Sequence, residues 1–200
     1  MGSSIISNSL RSKHNLVIPY NHRLAPLFIR QALYSLIPEG TQHIYVIGIG
    51  SSRISGDSLG PFVGTLLKNS YPNHLTVLGN LQDPLDATTL VSEVTTYPFR
   101  KNSFVLAVDS VFGSEEMVNS IVVNEGSIVP GIGLGNFLPP IGDSSITGVV
   151  LENDPGMKNS LLCTDLNLIY TMATSIAKGI SLTIRQYFKY PADQPILTLR

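Results

Sequence analysis

Residues His43 to Lys68 read HIYVIGIGSSRISGDSLGPFVGTLLK. The opening run, Ile44 to Ile49, is β-branched and aromatic, the composition of a buried strand, and Gly48 and Gly50 then let the chain turn sharply. A helix is expected after the turn. Asp57 or Ser58 suits its N-cap, Pro61 its first turn, and Leu59, Phe62, Val63, Leu66 and Leu67 give it an apolar face. Asp57 therefore stands at a strand–loop–helix junction. In open α/β sheets ligands bind at that edge, beyond the carboxyl ends of the strands.

Outward from this stretch, strands and helices alternate. Leu24 to Leu36 has helical spacing with Pro26 near its start, and Leu75 to Leu78 is a second apolar run that completes a βαβ unit. Pro84 to Val94 has helix-compatible spacing, and a third run, Phe104 to Val108, ends in Asp109. This alternation predicts an α/β protein, a three-layer α/β/α sandwich around a central, mostly parallel sheet. Two further strands are expected over Asn119 to Asn124 and Ser145 to Leu151. Between them lies a Gly/Pro-rich loop, Pro130 to Gly142, whose length inside a compact domain marks it as a rim of the site. Leu162, Leu166, Ile169, Ala173, Ile176, Ile180, Ile184 and Tyr187 recur at helical steps and predict a long final helix with one stripe against the sheet. Gly179, costly in a helix, predicts close packing there. The division expected is a loose segment over residues 1–20, one domain over 21–189 and a tail over 190–200.

The chain has 200 residues, 43% of them hydrophobic, enough for one sizeable core. Lys and Arg total 13 against 14 Asp and Glu, so no electrostatic footprint for nucleic acid or an anionic membrane is present. The one cysteine, Cys163, excludes a disulfide framework and reads as a packed, inert thiol in a reducing compartment. The N-terminal residues lack the apolar core of a signal peptide, and Leu161 to Ile184 is interrupted by Asp165, Asn167 and Lys178, so no membrane span is expected.

Chemistry points to the aspartates. If the first and third strands are neighbours, Asp57 and Asp109 project from the same sheet edge. Two carboxylates held close do not both ionise easily; the ionised one activates water while the protonated one donates to a carbonyl. Each also has a plainer role, Asp57 as a helix cap and Asp109 as an acceptor of backbone amides. Asp143 either forms a third wall of the site or caps a turn, the turn being favoured. Gly48 and Gly50 before a helix suggest an anion-binding turn, but position 53 is Arg where the dinucleotide fingerprint needs glycine. Arg53 either pairs with an anion or is solvated. The four histidines, His14, His22, His43 and His74, all precede Asp109 and do not cluster. No nitrogen- or sulfur-rich metal site is expected, a hard cation on the carboxylates is left open, and no suitably placed His base supports a serine nucleophile.

Four segments, Val46 to Thr65, Leu78 to Ala87, Ala107 to Asp109 and Leu138 to Gly148, closely resemble the YyaC-like sporulation proteins of endospore-forming bacteria. The likeness runs from about His43 to Tyr187. That family looks like a distant relative of the spore germination protease and the hydrogenase maturation proteases, which implies an α/β/α fold. In those relatives one acid after the first strand and an Asp after a later strand form the site, and Asp57 and Asp109 match them by position. The maturation enzymes add a downstream histidine that holds a metal; this chain has no histidine after Asp109. The germination protease acts on small acid-soluble spore proteins, and its glycine-rich loop is similar to Pro130 to Asn136.

The resulting expectation is a peptidase-like hydrolase of a sporulating cell or forespore, cytoplasmic, without a cofactor or metal. Asp57 and Asp109 are its catalytic pair. Gly50, Arg53, Asp143, Gly133 and Asn136 are its substrate-binding residues, and a small spore protein or peptide is its substrate. The competing reading is a non-catalytic sporulation factor that binds a peptide, a nucleotide or a protein at the same edge. Oligomeric state is left open.

Overall fold

Every residue of β3 (His43–Gly48) is buried, as a strand covered on both faces must be. It pairs in parallel with β4 (Leu75–Leu78) on one side and β5 (Ser103–Gly113) on the other. The computed structural model describes residues 11–12, 15–131, 138–154, 160–191 and 197. Within them β7 (Ser144–Glu152) extends the parallel set beside β5. Beyond β7 the direction reverses: β6 (Ser120–Glu125), β2 (Asn15–Pro19) and the two-residue β1 (Arg11–Ser12) are antiparallel additions. The sheet thus has seven strands in the order β1-β2-β6-β7-β5-β3-β4.

Strand alternation assigns the two faces. Ile44, Val46, Leu106, Val108, Ile121 and Ile146 point to one face, covered by α1 (Ala25–Leu36), α2 (Leu59–Leu67) and α4 (Leu166–Tyr187). Ile47, Ile49 and Ala107 point to the other and pack with Leu85, Ile141 and Leu90, the first residue of α3 (Leu90–Thr96). This is the three-layer α/β/α arrangement, with a thick layer of three helices and a thin one of a single short helix. Each fully buried aliphatic side chain contributes roughly 1.5–3 kcal/mol. None of the described helices is long and apolar enough to cross a membrane.

Close backbone contact seats α2 on the strand ends. A Cβ on Gly48 would press on the carbonyls of Gly60 and Gly79, and one on Gly64 on the carbonyl of Gly79. Gly179 does what its cost in a helix predicts: a Cβ there would lie 2.6 Å from Cβ of Ile29, so α1 and α4 meet at van der Waals contact.

Several expectations need correction. Residues 15–19 are a strand, not loose chain: Leu16, Val17 and Ile18 pair with Val123, Val122 and Ile121 of β6. Helix α3 begins only at Leu90 because Asp86 holds a turn before it, its Oδ1 accepting from the Thr88 N–H at 2.9 Å and hydroxyl at 2.6 Å. Strand β5 does not end at Asp109 but continues to Gly113 beside β7. Helix α4 starts after Asp165, whose side chain accepts from the Asn167 N–H at 2.9 Å. Leu162 and Cys163 precede that cap, so they stand outside the stripe and are exposed; the thiol is not packed. Tyr190 belongs to the body of the domain, its hydroxyl bonded to His74 Nδ1 at 2.7 Å.

Candidate functional site

The end of β3 shapes the site. Pairing with β5 stops at Gly48 opposite Val108, while β5 runs on beside β7, so the next residue, Asp109, has a strand on one side only. The chain leaving β3 is tied down by Ile49 N–H to Val108 O at 2.8 Å and Gly50 N–H to Leu85 O at 2.9 Å. It then folds back until Ser51 N–H donates to Asp57 O at 2.9 Å. Gly50 has φ +129°, and a Cβ there would collide with the Asp57 carbonyl and lie 3.3 Å from its Oδ1. Only glycine lets Asp57 return this closely.

Asp57 is not spent on capping. Ser58 occupies the N-cap of α2 without a side-chain cap bond, and its hydroxyl donates instead to Ser55 O at 2.6 Å. Asp57, Asp109 and Gly50 line one cavity of about 530 Å³. Burial pushes the Asp57 carboxyl up to about 6; the Ser51 N–H works against this and the Asp86 charge adds to it. Asp109 is 5% exposed. Burial raises it well above the usual carboxylate range, the Asp57 charge raises it further, and the Ser110 N–H, donating to its Oδ1 at 2.7 Å, offsets only part. Asp57, the less buried of the two, is the more readily ionised member, and Asp109 the one that holds a proton more tightly.

The other residues singled out in the sequence are placed differently. Asp143 is exposed and at the opposite end of the parallel strands, where its Oδ2 accepts from the Val105 N–H at 2.8 Å and its own N–H donates to Val105 O at 2.7 Å. It is a turn residue and does not reach the cavity wall. Arg53 is exposed and likewise absent from the wall. Gly133 and Asn136 lie outside the described residues, though Pro130 and Gly131 from the same loop do line the cavity.

Residues the sequence reading passed over complete the wall. Thr147 of β7 sits directly opposite Asp109, and Ser145, Asn124 and Asn15 follow across β7, β6 and β2. Their signal was present as polar residues at alternate positions of apolar strands, but reading it needs the register. Asp86, which raises Asp57, lies within the segment Leu78 to Ala87.

A histidine-completed metal site does not fit these residues. Among the described residues no three His, Cys, Asp or Glu side chains gather to hold an ion, and the chain has no histidine after His74. Nor does any Lys, Arg or His line the cavity among the described residues.

The chain belongs to the family described as "Protein of unknown function (DUF1256)", whose match spans residues 17–179. It is similar to "Uncharacterized protein YyaC" of Bacillus subtilis (strain 168), at 36% identity over 159 residues, which cover 78% of this chain and 77% of that protein. Among solved structures it is similar to the NiFe hydrogenase maturation protease HycI from Thermococcus kodakarensis KOD1, at 16% identity and TM-score 0.48, over 76% of this chain and 98% of that one.

Proposed function

We propose that this chain is a carboxylate-based peptidase of the sporulating cell, with Asp57 as general base and Asp109 as general acid. One observation carries the reading: two carboxyl groups line one cavity, both raised by burial and one by the charge of the other. Environments that separate two carboxyls in this way assign acid and base roles.

The step follows from that assignment. Water adds its oxygen to the scissile carbonyl carbon while Asp57 takes a water proton and Asp109 gives its proton to the carbonyl oxygen. The resulting gem-diol collapses as one hydroxyl proton returns to Asp109 and the Asp57 proton passes to the leaving nitrogen. The C–N bond breaks and both carboxyls regain their starting states. A nucleotide ligand is disfavoured, because its phosphates would meet carboxylates and no cation among the described wall residues.

The test is incubation with small acid-soluble spore proteins and with an extract of sporulating cells, read by mass spectrometry, for wild type, Asp57→Asn and Asp109→Asn. New peptide ends present with wild type and absent with both folded variants are expected. Identical, uncut peptide sets in all three reactions would leave the non-catalytic binding factor as the better reading.

A further inference from the structure

The second face of the sheet changes character from one side to the other. Over β3 and β5 it is apolar and sealed, with Ile47 and Ala107 packed under Leu85 and Leu90. Over β7, β6 and β2 it is polar. Register places Asp109 opposite Thr147; one step along the strands, Ser145 lies opposite Asn124 and Asn124 opposite Asn15. All five line the same cavity as Asp57.

An ordinary solvated strand face does not account for this lane. Ser145 is 2% exposed and Thr147 6%, because Ile128, Val129, Pro130 and Leu138 enclose the space above them. Thr147 is nine-tenths buried at the cavity wall, and its hydroxyl has no hydrogen-bond partner among the described residues. Asn124 donates only a long bond, Nδ2 to Ser145 Oγ at 3.4 Å, so its carbonyl oxygen remains available.

We propose that Thr147, Ser145, Asn124 and Asn15 form a subsite that binds an extended, non-acidic stretch of peptide on one side of the scissile bond. The inference rests on the peptidase reading and names its substrate class. Hydroxyl and carboxamide groups donate and accept, as a peptide backbone requires of its partner. The charged groups on the wall are carboxylates, Asp57, Asp109 and Glu125, which disfavours acidic segments. The apolar roof suits small apolar side chains. Strand spacing sets the length: from β5 to β2 is three steps of about 4.8 Å, which matches about four extended residues at roughly 3.3 Å each.

A library of random dodecapeptides, with truncated versions of each cleaved sequence, tests the subsite against wild type, Asp57→Asn, Thr147→Val, Thr147→Ser and Asn124→Leu. Expected are Asp57-dependent cuts, with kcat/KM falling about tenfold or more once fewer than about four residues remain on one fixed side of the bond. Thr147→Val and Asn124→Leu are expected to lower kcat/KM about tenfold for long peptides, as loss of a hydrogen bond does, and to leave the truncated ones unchanged. Thr147→Ser keeps the hydroxyl and is expected to match wild type. Cuts that depend on Asp57 but ignore peptide length, or variants that slow long and short peptides equally, would overturn the subsite and spare the peptidase. Absence of any Asp57-dependent cut would overturn the peptidase reading and the subsite together.

Discussion

The two ends of the parallel strands both carry titratable side chains, and they treat them in opposite ways. At the amino ends, His43 is 1% exposed, its Nε2 is bonded to Thr76 Oγ1 at 2.8 Å and its Nδ1 lies 3.3 Å from an Arg100 guanidinium nitrogen. Beside it His74 is bonded to Tyr190 and stacked on Phe188 at 4.1 Å. These rings are consumed by the fold. At the carboxyl ends, Asp57 and Asp109 line open space and are pushed off their ordinary values by burial. A titratable group whose partners lie within the chain stabilises it; one that faces a cavity without a countercharge is the kind found at functional sites.

The largest effect expected from breaking this contrast is on turnover. Asp57→Asn or Asp109→Asn should lower kcat about 10²- to 10⁴-fold, the range for removing a general acid or base, measured on the first peptide that mass spectrometry identifies. The acid limb of the rate profile should fall near pH 6, where Asp57 takes up its proton. At higher pH, loss of the Asp109 proton should lower the rate again.

Stability should move the other way. The fold keeps a proton on Asp57 up to about pH 6, whereas the unfolded chain loses it near 3.8. Between those values the folded state binds more protons, so stability falls as pH rises through the window and the deficit persists above it. Asp57→Asn should therefore raise stability at neutral pH by up to roughly 3 kcal/mol. In urea melts this gain should vanish below about pH 4.

At the opposite edge, His43→Leu should cost about 1–3 kcal/mol by leaving Thr76 and Arg100 without their partner. Cleavage by the folded variant should be unaffected. Burial and the Arg100 charge lower His43 from 6.5, so its contribution is present above that pH and lost as pH falls below it, the reverse of the Asp57 slope. A urea-melt series across pH for the two variants would show the opposed slopes. The smallest effect is expected from Arg53→Gln, which should change unfolding free energy by no more than about 0.5 kcal/mol, as for other exposed sites, and leave kcat/KM intact.

Local signals were legible and long-range ones were not. The strand, turn and helix from His43 to Leu67 follow from a β-branched run, two glycines and helical spacing, all within one window. That Asp57 and Asp109 share one sheet edge was legible because each follows an apolar β-type run within its own window. Strand β2 was missed because only Leu16, Val17 and Ile18 mark it, among polar neighbours. The polar lane was missed because Ser145, Asn124 and Asn15 mean little until the register sets them in a row. Cys163 was misread by running the helical pattern back past the Asp165 cap.

The pairing of Asn15 with Asn124 also bears on how the molecule is made. Strand β2 is synthesised before most of the sheet, but its place does not exist until β6 has emerged, and a contact so distant in sequence is slow to form. The far wall of the cleft is therefore a part of the nascent chain that waits for β6, and a fusion or cut close to residue 15 would leave a folded protein with an unfinished cleft.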